Sequence, residues 1–341
     1  MKRATLISLP LLLSFTLPFG LLGCGGHNKS GNGEVRLSKP PKAPPSYPPP
    51  ANVPIDPALQ NAARQEIVSA LRSSAPLVRA HAIEAIREGY GPTGEENIVR
   101  FMQDPDAIVR FAAALAAGEM KIAQAHDQLL VMSDDADPTV RVGAKFALHR
   151  LGDTRQSHDL EATSRDLNPT VRGDTALVLG LLGEPSATRI LLPMLFDASP
   201  AVRLEAAEAL WRLGNEQGLN NLVGASVSQF PDDRMIALLA LAAPHDRRVL
   251  GHLQGALTSE YDEVSLVAAR ACGMVGSDMG YGVAVKGAGS ADPRQRLLAA
   301  LAFGAIGRAD AQDKLGALLK DADQDVRLAA ATAILQLRPQ S

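Results

Sequence analysis

Few residues in this chain have the types and spacing that chemistry would need. His245 and His252 stand seven positions apart, with Asp246 beside the first. Two imidazoles without a third ligand at metal-binding spacing do not make a zinc site, so both are expected to be ordinary surface histidines. The segment Gly280-Tyr281-Gly282-Val283-Ala284-Val285-Lys286-Gly287 is glycine-rich but lacks the Gly-Lys-Ser/Thr ending of a phosphate loop. It is expected to form a weak helix and a hinge. No nucleophile elbow occurs, and Cys272 sits among apolar helix positions as a small buried hydrophobe. The expectation is therefore a protein that is not an enzyme, with no cofactor and no metal.

What does recur is arginine. Arg79, Arg110, Arg141, Arg172, Arg203, Arg234, Arg296 and Arg327, with Ser265 in the remaining place, follow one another at a constant spacing of 31 residues. Asp104, Asp135, Asp166, Asp197 and Asp321 precede such anchors by six residues. A stripe of arginines can bind anions. Buried arginines, however, must be paired, and the periodicity points to a structural ladder.

The elements that carry the ladder follow from the same register. Four residues before the anchor stands a helix-capping type, as in Asp106, Asp137, Asn168, Ser199, Asp292 and Asp323. Proline often follows, as at Pro76, Pro138, Pro169, Pro200, Pro231 and Pro293, where its missing N–H is harmless. Small residues three after the anchor, such as Ala82, Ala144 and Ala330, allow close helix approach. Gly152, Gly183, Gly214, Gly276 and Gly307, eleven after it, stop the helix. Shorter apolar stretches between these phrases, such as 95–102 and 187–192, supply a first helix to each pair. A fixed period of this length is the signature of a stacked helical array.

These phrases resemble HEAT repeats, in the short form of the phycobilisome-lyase type. The match runs through Asp135…Val140-Arg141…Leu151-Gly152, Asp166…Val171-Arg172…Leu182-Gly183 and Asp197…Val202-Arg203…Leu213-Gly214, and covers about 58–338. The resemblance implies an all-α superhelical solenoid of about nine helix pairs. It also implies that the arginines bond aspartates and carbonyls between repeats. At 8–10 Å per unit such an array is expected to form an open arc of roughly 80 Å.

On the second helix, positions one, five and eight after the anchor point away from the partner helix and, in the family resembled, line the concave surface, where they are typically polar or glycine. Here they include Phe111, Leu115, Phe146, Leu177, Leu204, Trp211, Met235, Leu239, Leu297 and Leu301. The expectation is an exposed apolar groove that takes an amphipathic helix or extended peptide. The last helix, ending Ile334-Leu335-Gln336-Leu337, has no following helix to cover it.

The amino-terminal residues read as an address. Lys2 and Arg3 precede an apolar run that ends Leu21-Leu22-Gly23-Cys24. This resembles a bacterial lipobox, with leucine instead of a small residue two before the cysteine. The resemblance implies a signal peptide over 1–23, acylation of Cys24 and attachment to a membrane. Gly25, where aspartate would favour the inner membrane, implies the outer one, with the array facing the periplasm. Residues 24–57, with nine prolines between Pro40 and Pro57, are expected to be a disordered tether. The array over 58–341 follows. The net charge of −3 without a basic stripe argues against nucleic acid. The expected function is a lipid-anchored envelope scaffold or assembly factor that binds another envelope protein. The alternatives are a lyase-like or chaperone-type protein acting on a bound cofactor, or a passive mechanical spacer.

Overall fold

The computed structural model describes residues 53–155 and 159–338. The leader, Cys24 and almost all of the tether lie outside the described residues. Among the described residues, no helix is long and apolar enough to cross a membrane.

Pro57 and the capping Asp56 open the first of the eighteen α-helices among the described residues. The outer helices of the pairs are α1 (Pro57–Ala70), α3 (Glu95–Phe101), α5 (His126–Met132), α7 (Leu160–Thr163), α9 (Thr188–Met194), α11 (Glu216–Ala225), α13 (Leu250–Ala256), α15 (Tyr281–Ala288) and α17 (Gln312–Leu318). The inner helices are α2 (Pro76–Gly89), α4 (Ala107–Met120), α6 (Pro138–Arg150), α8 (Pro169–Leu182), α10 (Pro200–Arg212), α12 (Pro231–Ala242), α14 (Asp262–Met274), α16 (Pro293–Ile306) and α18 (Gln324–Gln336). The fold is the all-α helix-pair array that the register predicts.

Local chemistry sets these boundaries. Asp137, Asn168, Asp292 and Asp323 accept hydrogen bonds from backbone N–H groups of the first turn that follows them. Asp106 and Ser199 make no such bond, although their positions predict one. Asp106 instead accepts from Arg79 Nη2 at 2.6 Å. Helix ends turn through the left-handed region at Gly152, Gly183, Gly214, Gly276 and Gly307. In the same register Lys121 and His245 adopt positive φ with side chains present. The His245 ring nitrogen Nδ1 lies 2.6 Å from the Met274 carbonyl oxygen, which helps hold that turn.

The arginine ladder stitches each inner helix to the next unit. Arg79 meets Asp104, Arg110 meets Asp135, Arg172 meets Asp197 and Arg296 meets Asp321, all within 2.9 Å and with two donors each. A third nitrogen, Nη1, reaches the carbonyls of the arginine's own turn. Paired carboxylates and carbonyls satisfy most of the donors of each fork, so these arginines are structural.

Each inner helix packs on the next, and α18 packs on α16 to one side and on α1 and α2 to the other. The array is a closed ring instead of the expected arc, and its last helix is covered by its first unit. Closure needs the inner wall to be tight. Gly118, Gly180 and Gly304 supply this, eight residues after their anchors. A Cβ on any of them would fall 2.7–2.8 Å from the Cα of Ala147, Ala209 or Ala333 on the neighbouring inner helix. Removing the side chain there lets inner helices approach more closely than outer ones, which bends the array toward closure. In α15, the segment expected to be a hinge, Gly280 and Gly287 instead seat the helix against Ala269 and Leu266 of α14.

Candidate functional site

Ring closure decides the fate of the apolar inner face. Phe111, Leu115, Phe146, Leu177, Trp211, Met235, Leu239, Leu297 and Leu301 are buried, and Leu204 is half-buried. The expected exposed groove is therefore absent from these positions: each side chain is covered by the adjacent inner helices. Trp211 shows this directly, because its indole Nε1 donates to the Leu241 carbonyl at 3.0 Å and Arg248 stacks over its ring.

The inner wall is also more charged than the apolar positions suggest. A cavity of about 1000 Å³ is lined by α2, α14, α16 and α18, by the end of α4 and by the turns that follow α12, α14 and α18. Arg87 pairs with Glu119 and, at 3.3 Å, with Glu88. Glu88 accepts from Gln336 Nε2 at 2.5 Å, and burial pushes its carboxyl above the usual range while Arg87 and Arg270 oppose that. A second charged cluster lies where Asp174 of α8 faces Glu205 of α10. Arg212 holds Glu208 through Nε at 2.9 Å and Nη2 at 2.5 Å, and burial drives Glu205 well up, reinforced by Glu208 and Asp174. Burial pushes Asp174 up to about 8, with the Asp137 charge adding to it. These groups sit at positions two, five, eight and nine after the anchors. They are not among the residues singled out from the sequence; the signal that could have found Glu208 and Arg270 is a charge at position five, which Leu115, Phe146, Leu177, Leu239 and Leu301 fill elsewhere.

The exposed apolar surface lies elsewhere, on the rim where outer helices turn into inner ones. Leu167, Phe196, Val227, Phe230 and Tyr261 are 97%, 86%, 77%, 59% and 41% exposed. They occupy the turns of the fourth to seventh units. Phe230 and Tyr261 stand at the N-cap register and make no capping bond. Phe196 and Val227 share one register position in adjacent units, about 10 Å apart at the spacing of packed helices.

Within this strip the ladder is interrupted. Arg203 donates to the carbonyls of Asp197 and Ala198, but the position 25 residues on holds Ser228 where the other stitches have aspartate. Among the described residues it meets no carboxylate within ion-pair distance, and it is exposed, in the same unit as Phe196. An exposed guanidinium on a rim that also exposes aromatic side chains can bind a carboxylate while the rings bury apolar surface.

His245 and His252 are both exposed, and among the described residues no group of three or more histidine, cysteine or carboxylate side chains could hold a metal. Cys272 is buried, and burial pushes its thiol up to about 12.

A family model described as HEAT repeats matches residues 64–153 and 158–242. No curated protein matches the chain. Among solved structures, the complex of CpcE and CpcF of phycocyanin lyase from Nostoc sp. PCC7120 is similar at 19% identity. The similarity covers 70% of this chain and 97% of that one, with a TM-score of 0.43. Human deoxyhypusine hydroxylase in complex with glycerol is similar at 20% identity, covering 82% of this chain and 96% of that one, with a TM-score of 0.36. Neither likeness is close enough to speak for what this chain binds or does.

Proposed function

The chain belongs to the HEAT-repeat family, and we propose that it is a lipid-anchored cell-envelope scaffold that binds another envelope protein through the rim of its fourth to seventh units. The observation that carries this reading is the strip of Leu167, Phe196, Val227, Phe230 and Tyr261 around the exposed Arg203. Large apolar side chains are rarely left in water side by side without a partner to cover them. The partner that fits is an amphipathic helix or extended peptide that brings apolar anchors and a carboxylate.

The orientation of the ring supports the same reading. The Pro54 carbonyl accepts from Gln312 Nε2, at the start of an outer helix, so the chain enters the ring at the rim opposite the strip. A tether running from an acylated Cys24 to that rim leaves the apolar strip facing away from the membrane. The proposed location is the outer membrane, facing the periplasm. The role is binding and not catalysis.

The test compares the full-length protein with a Phe196→Ser/Arg203→Glu/Phe230→Ser variant. Each is recovered from its own envelope after mild crosslinking, with the thermal transition measured in parallel. The reading requires a protein captured in equimolar amount by the wild type and lost by the variant at unchanged Tm. Equal capture by both, or capture of nothing, overturns it. Labelled palmitate that enters Cys24→Ser as well as wild type would remove the lipid anchor.

A further inference from the structure

The cavity inside the ring holds a charge that the scaffold does not use. Arg270, on α14, is 5% exposed and borders the cavity. Among the described residues no hydrogen-bond acceptor or carboxylate stands at bonding distance from it. The ladder arginines, by contrast, fill their donors with carboxylates and carbonyls. The Arg270 guanidinium therefore faces the cavity without a bonded partner, on a wall that also carries Glu84, Arg87, Glu88 and Glu119.

We propose that the ring cavity binds a small organic monocarboxylate with an apolar body, and that Arg270 holds its carboxylate. The planar fork of arginine matches the two oxygens of one carboxylate. The volume of about 1000 Å³ is that of a ligand site, and Leu301, Leu328, Leu335 and Met274 line it with apolar surface for the ligand's body. The mouth is cationic. The turns at the rim where the chain enters bring Arg247 and Arg338 to the lining, a field that attracts anions.

The carboxylates nearby select for a single negative charge. Glu88 is already engaged by Arg87 and Gln336, and Glu84 lies on the same wall. Burial raises the affinity of Glu88 for a proton and weakens the guanidinium of Arg270, which Glu88 and Glu84 in turn support. A dianion would bring a second charge against these acids, whereas a monocarboxylate brings only the one that the Arg270 fork takes. This site opens at the rim opposite the apolar strip, so it stands or falls separately from protein docking.

The experiment titrates the purified full-length protein with 11-(dansylamino)undecanoic acid and with its neutral analogue N-undecyl dansylamide, following dansyl emission. Saturable one-to-one binding of the acid is expected. Arg270→Leu should weaken it by roughly 10- to 100-fold, the loss of one charge-assisted contact, and leave the neutral probe unchanged. Arg270→Lys should recover part of the loss. Leu301→Trp, which fills the cavity, should abolish binding of both probes, and Phe196→Ser should bind as wild type. Absence of saturable binding, equal affinity for acid and neutral probe, or unchanged binding in Arg270→Leu or Leu301→Trp overturns the proposal.

Discussion

Arg327 and Glu66 meet at 2.9 Å across 261 residues of chain. The pair completes at the seam the stitch that elsewhere joins each arginine to the next unit, with a glutamate of the first helix in place of the usual turn aspartate. Gln336 to Glu88 and the contact of Leu335 with Gly89 fasten the same seam on its inner side.

The seam can be wedged. A Cβ on Gly89 would lie 2.8 Å from Leu335, so Gly89→Val is expected to cost about 1–3 kcal/mol through overpacking. Spin labels on Arg72 and Lys320, both exposed on the turn rim of the first and last units, should report a longer and broader distance in the variant. An unaltered distance distribution together with an unaltered Tm would mean that the ends do not close.

Phe146 and Trp211 belong to the packed interior, with almost no surface in water. Replacing both by serine leaves two large cavities and orphans the Leu241 carbonyl that Trp211 bonds, at a cost of roughly 3–5 kcal/mol for each. Thermal denaturation of the double variant should show a transition lowered by tens of degrees or lost altogether. A transition within a few degrees of wild type would place both side chains on the surface instead.

Asp174 gives the fold a pH dependence. Its carboxyl titrates near 8 when folded and near the ordinary 3.8 when unfolded, chiefly because of burial. Between those values the folded state holds the proton that the unfolded state has released, so stability falls as pH rises through this window. Asp174→Asn removes that slope. Urea denaturation should find the variant more stable than wild type by a few kcal/mol at pH 9 and close to it at pH 4. A gap that does not widen with pH would show that Asp174 is ionised in the folded protein.

The pairs, their caps and their stops were legible because each is a local device repeated in one register. Asp137, Pro138, Arg141 and Gly152 specify their helix without reference to anything beyond the next unit. The inward direction of Phe146 and Trp211 was also legible, but their exposure was not. Burial there depends on how closely neighbouring inner helices approach, which Gly118, Gly180 and Gly304 govern. The seam has no local signature, since Glu66 and Arg327 sit in otherwise ordinary helices at the two ends of the array. The rim strip did leave a trace: Phe230 and Tyr261 stand where the register calls for a polar cap. Arg270 left another, as a cation at a position that most units fill with leucine or phenylalanine.

Closure also freezes the copy number. An open stack of repeats can gain or shed a unit by duplication or deletion, because each module leans only on its neighbours. Here the first module has to complete the last, so an added or missing pair would leave two apolar ends that no longer meet. Such a lineage can vary its turns freely, while the count of its modules stays fixed by geometry.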